Sequence, residues 1–539
     1  MTERLAGIQV QEEAGPGQAI AETPTAVTAF VGRCLRGPVN RPVTLSGFNE
    51  FQRVFGGLWQ PSTLSYAVEQ YFENGGRTAI VVRVINGARC CTIRLPAKGG
   101  ALVLSALAPG TREFLRAAVD YDGIGDNEDD AFNLVIQRVR TPGSEHIEDQ
   151  EIYRRLSVQP DSPRSVAAML AESALVRVEG ELPASRPEPT PRTDPRGLAG
   201  YVLSGTDADD GAPLTDYDVI GSAAQRTGLF ALDATDGFNL LCIPPLARDV
   251  DIGASTLLVA NRLCRERRAM LLVDPPVAWD SAAKAAAEMR RWPLPSDSAC
   301  MFFPRLLGYD KLRGRFEAFA PSGAIAGTLS RASEHWPVWT AACGEEAIVR
   351  PGLRPACPVD EEQRARLAAV GVNTIQAVRR PGRDPVRAVT LAGPGAVSAD
   401  WRSLAAKRLA LLVVNSIERG TRWVVFEPSE PATWRRVGLQ VREFMSGLEE
   451  RGAFGDREPG DRWFVLCDER VNRERHREQG IVNILFGIPA QRPGGFHAWL
   501  ISHRAGGSRV QTVSPNLAGI PDTGLTQVLA ELELPAEAG

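Results

Sequence analysis

Ala26-Val27-Thr28-Ala29-Phe30-Val31-Gly32 and Ala79-Ile80-Val81-Val82-Arg83-Val84 decide the reading of this chain. Each is a short, nearly continuous apolar run, the pattern of a strand buried on both faces. Between them Phe48, Phe51 and Phe55 recur at spacings of three and four, one face of a helix that stops at Gly56-Gly57. Leu64 to Glu73 reads as a second helix, ended by Asn74-Gly75-Gly76. Strand, helix, strand in this order predicts a parallel pair and an α/β fold.

The same rhythm returns between residues 200 and 345. Phe238 to Ile243 and Ala269 to Val273 read as buried strands, each closed by a double proline, with a crossover helix over Ile252–Arg268. Further on, Leu404 to Ile417 is apolar almost all round and predicts a buried helix. Trp423 to Phe426 reads as a strand. Trp434, Val437, Val441, Phe444 or Met445, and Leu448 then follow helical spacing, leaving Arg435, Arg436, Arg442, Glu443, Glu449 and Glu450 on an exposed face. Ile481 to Ile488 and Phe496 to His503 read as two strands joined by a Pro-Gly-Gly turn.

Residues 90 to about 180 hold scattered short strands such as Phe132–Ile136, a β-rich module inserted into the α/β region. Pro183, Pro187, Pro189, Pro191 and Pro195 mark a surface linker after it. At the start, Leu5 to Gln11 ends in alternating apolar and polar residues, and Gly15-Pro16-Gly17 separates it from the rest. A lone terminal strand cannot satisfy its own backbone and must pair with something. The expected division is therefore an arm at 1–24, an outer α/β domain from 25–89 and 197–365, the insert at 90–196, a C-terminal domain at 366–504, and a loose tail at 505–539.

With 539 residues several domains are the default, and 44% hydrophobic with 23% charged residues suits an ordinary globular chain. A net charge of −4 offers no basic excess for nucleic acid or an anionic membrane. No apolar run reaches the length of a membrane-spanning helix, and Met1 to Leu5 lacks a secretory pattern. Nine cysteines, without C-x-x-C spacing, predict reduced thiols and not a disulfide framework or zinc site.

Motifs for chemistry are missing. Gly-Lys never occurs, so there is no P-loop; there is no H-E-x-x-H and no G-x-S-x-G. His497 and His503 share one face of a strand but have no carboxylate or cysteine at ligand spacing, and read as exposed. Asp120–Asp130 and Asp207–Gly211 fail the EF-hand spacing at its fifth position and read as solvated turns. Glu266 and Asp274 are the nearest thing to an acid–base pair, with Asp274 more simply a strand-end residue. Neither a metal nor a cofactor is expected.

Six stretches in chain order resemble the phage tail sheath family, which includes sheaths of contractile phage tails, R-type bacteriocins and extracellular injection systems. They are Thr25–Arg33 with Arg36–Val43, Phe48–Phe51 and Val54–Gly57; Ala67–Gly76 with Ile80–Val84; Arg226–Leu232 with Leu240–Pro244; Ala320–Gly327; Gly371–Asn373; and Ser416–Pro428. The chain departs from the usual pattern at Val386–Leu391 and around His335–Trp339.

The resemblance implies an α/β (α+β) multi-domain protomer made in the cytoplasm and working in an assembled phage tail or phage tail-like particle. Its partners would be itself as a helical homopolymer, an inner tube, and baseplate and cap proteins, with no direct contact to nucleic acid or membrane. Extended strands at both ends would be shared between subunits. The donors would be Gly7, Ile8, Gln9, Val10 and Gln11 together with Phe496, Ala498, Trp499, Leu500 and Ile501, and Val482, Ile484, Phe486 and Ile488 would belong to the acceptor sheet. The charged face Arg435, Arg436, Arg442, Glu443, Glu449 and Glu450 would grip the tube. Contraction would run from a trapped extended state without a nucleotide. An α/β hydrolase with an unrecognised site, or a baseplate or cap module built on a sheath-like domain, are the competing readings from sequence.

Overall fold

The structure is a computed structural model that describes residues 19–125, 128–191, 200–340, 348–375, 388–392, 400–456, 462–489 and 495–518. The chain divides into two compact units, one from residues 26–336 and 342–391, the other from 1–25, 337–341 and 392–539.

The larger unit is organised by the strands that the opening stretch predicts. β1 (Thr28–Gly32) is followed by β2 (Val43–Leu45), α1 (Phe48–Phe55), α2 (Thr63–Glu73) and β3 (Ala79–Arg83). β1 and β3 pair in parallel, and every residue of both is buried. The chain then leaves for the insert. There β4 (Thr92–Ala97), β5 (Gly100–Ala106), β6 (Leu115–Asp120), β7 (Ala131–Val139), β8 (Ile147–Ser157), α3 (Val166–Leu170), β9 (Val176–Glu179) and β10 (Val202–Leu203) form two antiparallel sheets, ordered β4-β5-β9 and β10-β6-β7-β8. Alternate side chains, among them Leu95, Leu104, Ala117, Leu134 and Ile136, close a core of the insert's own. The proline-rich stretch is not a free linker where it is described. Glu188 N donates to Pro96 O and Thr190 N to Val119 O, so residues 187–190 strap the two sheets together.

Returning from the insert, α4 (Asp216–Ile220), β11 (Leu240–Cys242), α5 (Ala254–Arg267), β12 (Met270–Val273), α6 (Ala282–Met289), β13 (Ala299–Phe303), β14 (Leu306–Asp310), β15 (Arg315–Phe319), α7 (Ser322–His335), β16 (Arg354–Pro355), α8 (Glu361–Ala369) and β17 (Val372–Thr374) complete the unit. The seven-stranded sheet runs β17-β13-β12-β11-β1-β3-β2, parallel except for β2. The sequence reading set residues 366–391 in the C-terminal domain; the described residues of that stretch, 366–375 and 388–391, lie in the larger unit. β17 adds to β13 and Leu391 joins the same core, because a parallel sheet buried on both faces needs its edge covered. α7, which touches β11 and β12, lies against α2 at very close range. A Cβ on Gly323 would sit 2.2 Å from Ala67 O and one on Gly327 2.3 Å from Tyr71 O, so the Gly-x-x-x-Gly spacing sets this approach.

In the smaller unit α9 (Leu404–Gly420), α10 (Pro431–Glu450), β18 (Phe464–Leu466), α11 (Glu474–Glu478), β19 (Val482–Pro489), β20 (Gly495–Arg504) and β21 (Gly507–Ala518) follow in order. The sheet is antiparallel, β18-β19-β20-β21. Arg422–Phe426 is a 3₁₀ turn and not the strand expected from Trp-Val-Val-Phe. It continues from Thr421 at the end of α9, and only Val424 is buried, so no strand-like alternation is satisfied. Nor is the segment after 505 loose: Gly507–Ala518 is a strand, and residues 519–539 lie outside the described residues.

Candidate assembly site

Two places compete as the functional site: the crevice of the parallel sheet, where an α/β enzyme binds its ligand, and the terminal antiparallel sheet. Strand order reverses between β1 and β11, and ligands of such sheets sit beyond the strand ends at that point. Here the crevice is filled by the chain itself. The Arg248 guanidinium stands 4.7 Å from the Tyr66 ring centre and 4.9 Å from that of Phe319, and pairs with Asp310. The space remaining is about 20 Å³, room for one water.

Asp274, at the end of β12, accepts from Ser322 N and Oγ at 2.8 Å and so fastens the start of α7. Burial pushes its carboxyl up to about 6. Glu266 is not beside it; it pairs with Arg262 on the exposed side of α5, whose C-terminal end leads into the start of β12, at the other end of the strand from Asp274. The acidic turns fasten loops as well. Asp120 takes Asn133 Nδ2 at 2.7 Å, Asp207 takes Thr92 Oγ1 at 2.9 Å, and Asp210 takes Thr111 N at 2.7 Å. Among the described residues no three His, Cys, Asp or Glu are grouped as metal ligands.

The terminal sheet is built differently. Val482, Ile484, Phe486 and Ile488 of β19, with Trp499 and Ile501 of β20, face Val413, Ile417, Val441 and Met445 of the two long helices. Leu485, Ala498 and Leu500 make a smaller cluster on the other face with Val513. Eight consecutive pairs join β19 to β20, and β20 is paired on its far side by β21. Phe496, Ala498, Trp499, Leu500 and Ile501 are therefore interior to their own subunit. Within this subunit both edges of β20 are filled, one by β19 and the other by β21. The outer strands β18 and β21 carry the edges.

Both histidines of β20 are buried, not exposed. His503 Nε2–H donates to Thr421 Oγ1 (2.8 Å), whose hydroxyl donates to Ile417 O (2.6 Å), and Ser508 Oγ–H donates to His503 Nδ1 (2.7 Å). Burial lowers its pKa to about 4. His497 stacks 4.1 Å from the Trp401 ring with Nε2 3.1 Å from Asp400; burial lowers its pKa too, against the opposing pull of Asp400. Beyond β18, Asn472 completes the edge of β19: its Oδ1 accepts from Asn483 N (2.6 Å) and its Nδ2 donates to Asn483 O (3.0 Å).

The proposed arm residues Gly7 to Gln11 lie outside the described residues. Their root is described and firmly seated. Ile20 packs into the helix core, over Gly420, where a Cβ would come within 2.8 Å of it. Thr23 N donates to Ser416 Oγ at 3.0 Å, Arg408 Nη2 donates to Thr25 O at 3.2 Å, and Glu22 pairs with Arg451.

The six charged residues of α10 do not form one free face. Arg436 stacks 4.2 Å from the Trp423 ring and pairs with Glu427 at 2.9 Å. Arg442 reaches Val465 O at 3.4 Å. Hydrogen bonds from Arg462 and Trp463, each 2.6 Å, hold the Glu449 carboxyl below the usual range. Glu443 borders a cleft beside Ile20 and Phe444. Arg435 and Glu450 are exposed, and so is Leu439 between them at 58%. The apolar centre of this face was missed from sequence; Leu439 breaks the helical spacing of the buried residues, which is its signal.

No family model and no curated protein matches the sequence. Solved structures do match along nearly the whole chain. A sheath tail protein from Listeria innocua aligns with TM-score 0.59 at 12% identity, covering 90% of this chain and 96% of its own. A chain from the sheath complex of the PVC extracellular contractile injection system, in its contracted state, aligns with TM-score 0.53 at 14% identity, covering 92% and 96%. A sheath tail protein from Desulfitobacterium hafniense aligns with TM-score 0.51 at 12% identity, covering 92% and 99%. The chain has the fold of these tail sheath proteins.

Proposed function

We propose that the chain is a structural subunit of a contractile sheath that polymerises helically around an inner tube and shortens to drive it through a target envelope. The observation that carries this reading is the likeness to sheath folds along nine-tenths of the chain. A crevice plugged by Arg248 supports a structural and not an enzymatic role. Subunits join by adding strands to one another's terminal sheets, where main-chain hydrogen bonds give adhesion and alternate side chains fix register. Each bond contributes only about 0.5–1.5 kcal/mol net, and a lattice in which every copy gives and receives makes that a continuous mesh.

The N-terminal donor is Gly7–Gln11, held at its root by Ile20, Glu22 and Thr23 so that a pull on the arm reaches α9 and α10. Grip on the tube falls to the outward Arg435, Glu443 and Glu450 around Leu439, weak enough individually to be released. The extended sheath is a trapped state, and contraction is driven by new contacts between outer domains, with no nucleotide. Negative-stain microscopy of the purified protein, with and without an inner tube protein, tests this. Long tubes are expected, and they should vanish on deletion of residues 1–20. A monodisperse compact particle would overturn the reading, and discrete rings would replace it with a baseplate or cap module.

A further inference from the structure

β21 covers the edge of β20 along an unbroken register, from Ala498 opposite Val513 to Arg504 opposite Gly507. Yet little except main chain holds it there. Seven of eight residues in β19 are buried, whereas in Gly507–Val513 only Val513 is, with Val510 half-buried and Arg509 and Thr512 exposed. Val510 packs against the helix core and Val513 joins the small cluster on the other face; among the described residues one side-chain hydrogen bond is added. Ser508 Oγ–H donates to His503 Nδ1, and through Nε2–H, Thr421 Oγ1 and Ile417 O the connection reaches the end of α9. Because Thr421 spends its proton on Ile417, it can only accept from the imidazole, and this fixes the tautomer whose Nδ1 receives Ser508.

We infer that β21 is a self-capping latch: in the free subunit it occupies the sheet edge at which a second copy would join, and it must leave β20 before the subunit can enter a polymer. The inference rests on the sheath reading. A ladder given up within one chain and remade with an identical segment of another costs little at equilibrium, so the rate of opening governs entry. The His503–Ser508 contact then sets part of that barrier, and it keeps an edge that pairs readily from doing so in free subunits.

A disulfide staple tests the latch. Ser502 and Arg509 are directly opposite in register. Facing residues of an antiparallel pair lie ~4.5–5.5 Å apart at Cα, within disulfide reach. Oxidised S502C/R509C should stay unpolymerised, entering tubes at least about tenfold more slowly than wild type under the same oxidation, with recovery on reduction. Equal rates for the oxidised and reduced variant would overturn the latch. S508A, which leaves the sheet intact, should speed tube growth about fivefold, the equivalent of ~1 kcal/mol, and an unchanged rate would count against it. Wild-type protein that makes no tubes with its tube protein would instead sink the sheath reading and the latch with it. Wild type and staple polymerising alike would sink the latch alone.

Discussion

β8 and β21 are both long strands at the margin of an antiparallel sheet, and the chain treats their outer edges in opposite ways. β8 is defended. Its pairing slips at Arg154–Arg155, where Arg155 has φ 52°, and the Arg164 guanidinium takes both carbonyls, at 2.6 and 3.0 Å. Nearby, Glu151 is tied to Ser173 Oγ and Ala174 N at 2.6 and 2.7 Å. Bulges and charged caps of this kind keep an edge from pairing with another chain. From Gly507 to Val513, β21 has no such device, and its outer edge makes no hydrogen bond among the described residues. β8 is fixed at its margin by side chains, whereas β21 is held at its margin mainly by the ladder to β20.

The contrast can be broken most forcefully inside the terminal sheet. Phe486→Ala empties a fully buried site in β19 and should cost about 3–5 kcal/mol in urea unfolding. Val510→Ala in β21 should cost only about 1 kcal/mol. Similar losses at both positions would mean that β21 is as firmly packed as the strands behind it.

Acid offers the next largest effect. His503 is neutral in the fold, its pKa lowered by burial from 6.5 to about 4. Between those values the unfolded chain binds the proton and the native chain does not. Its contribution is therefore complete above about pH 6.5 and is lost as pH falls toward 4, up to about 3 kcal/mol. Unfolding measured at pH 7 and 4.5 should show this loss in the wild type and much less of it in His503→Gln. Equal slopes would remove His503 as the cause.

Arg164→Ala uncovers the carbonyls of β8 and should cost about 1–2 kcal/mol. It should also raise the light scattering of concentrated protein as insert edges begin to pair; unchanged scattering would show that the guanidinium does not guard the edge. The smallest effect belongs to the arm root. Gly420→Ala places a methyl against Ile20, for about 1 kcal/mol, and should quicken proteolytic clipping before residue 25 while leaving the melting of the sheet nearly unchanged.

Much of the fold was legible. Continuous apolar runs marked β1, β3, β11 and β12, since strands buried on both faces need them. Three-and-four spacing marked α1 and α10. β21 was not legible, because Gly-Ser-Arg-Val-Gln-Thr-Val carries only two apolar residues and becomes a strand through the ladder that β20 offers. The 3₁₀ turn at Arg422–Phe426 was hidden for the converse reason: four residues of high strand propensity found no neighbouring strand to pair with. Of the charged residues on α10, sequence placed all six on the outer side. Only the packed structure showed that Arg436, Arg442 and Glu449 are engaged by Glu427, Val465 O and Arg462.

By itself, then, the order of apolar runs and breaks determined an α/β chain with a β-rich insert and a two-helix, antiparallel C-terminal unit, because local periodicity dictates which face of each element must be buried. Tertiary structure alone decided which strand edges are filled. Pairing depends on what lies alongside a segment, and that is set by neighbours distant in sequence. It placed β20 between two partners, left β21 at the margin, and put His503 where it joins that margin to α9.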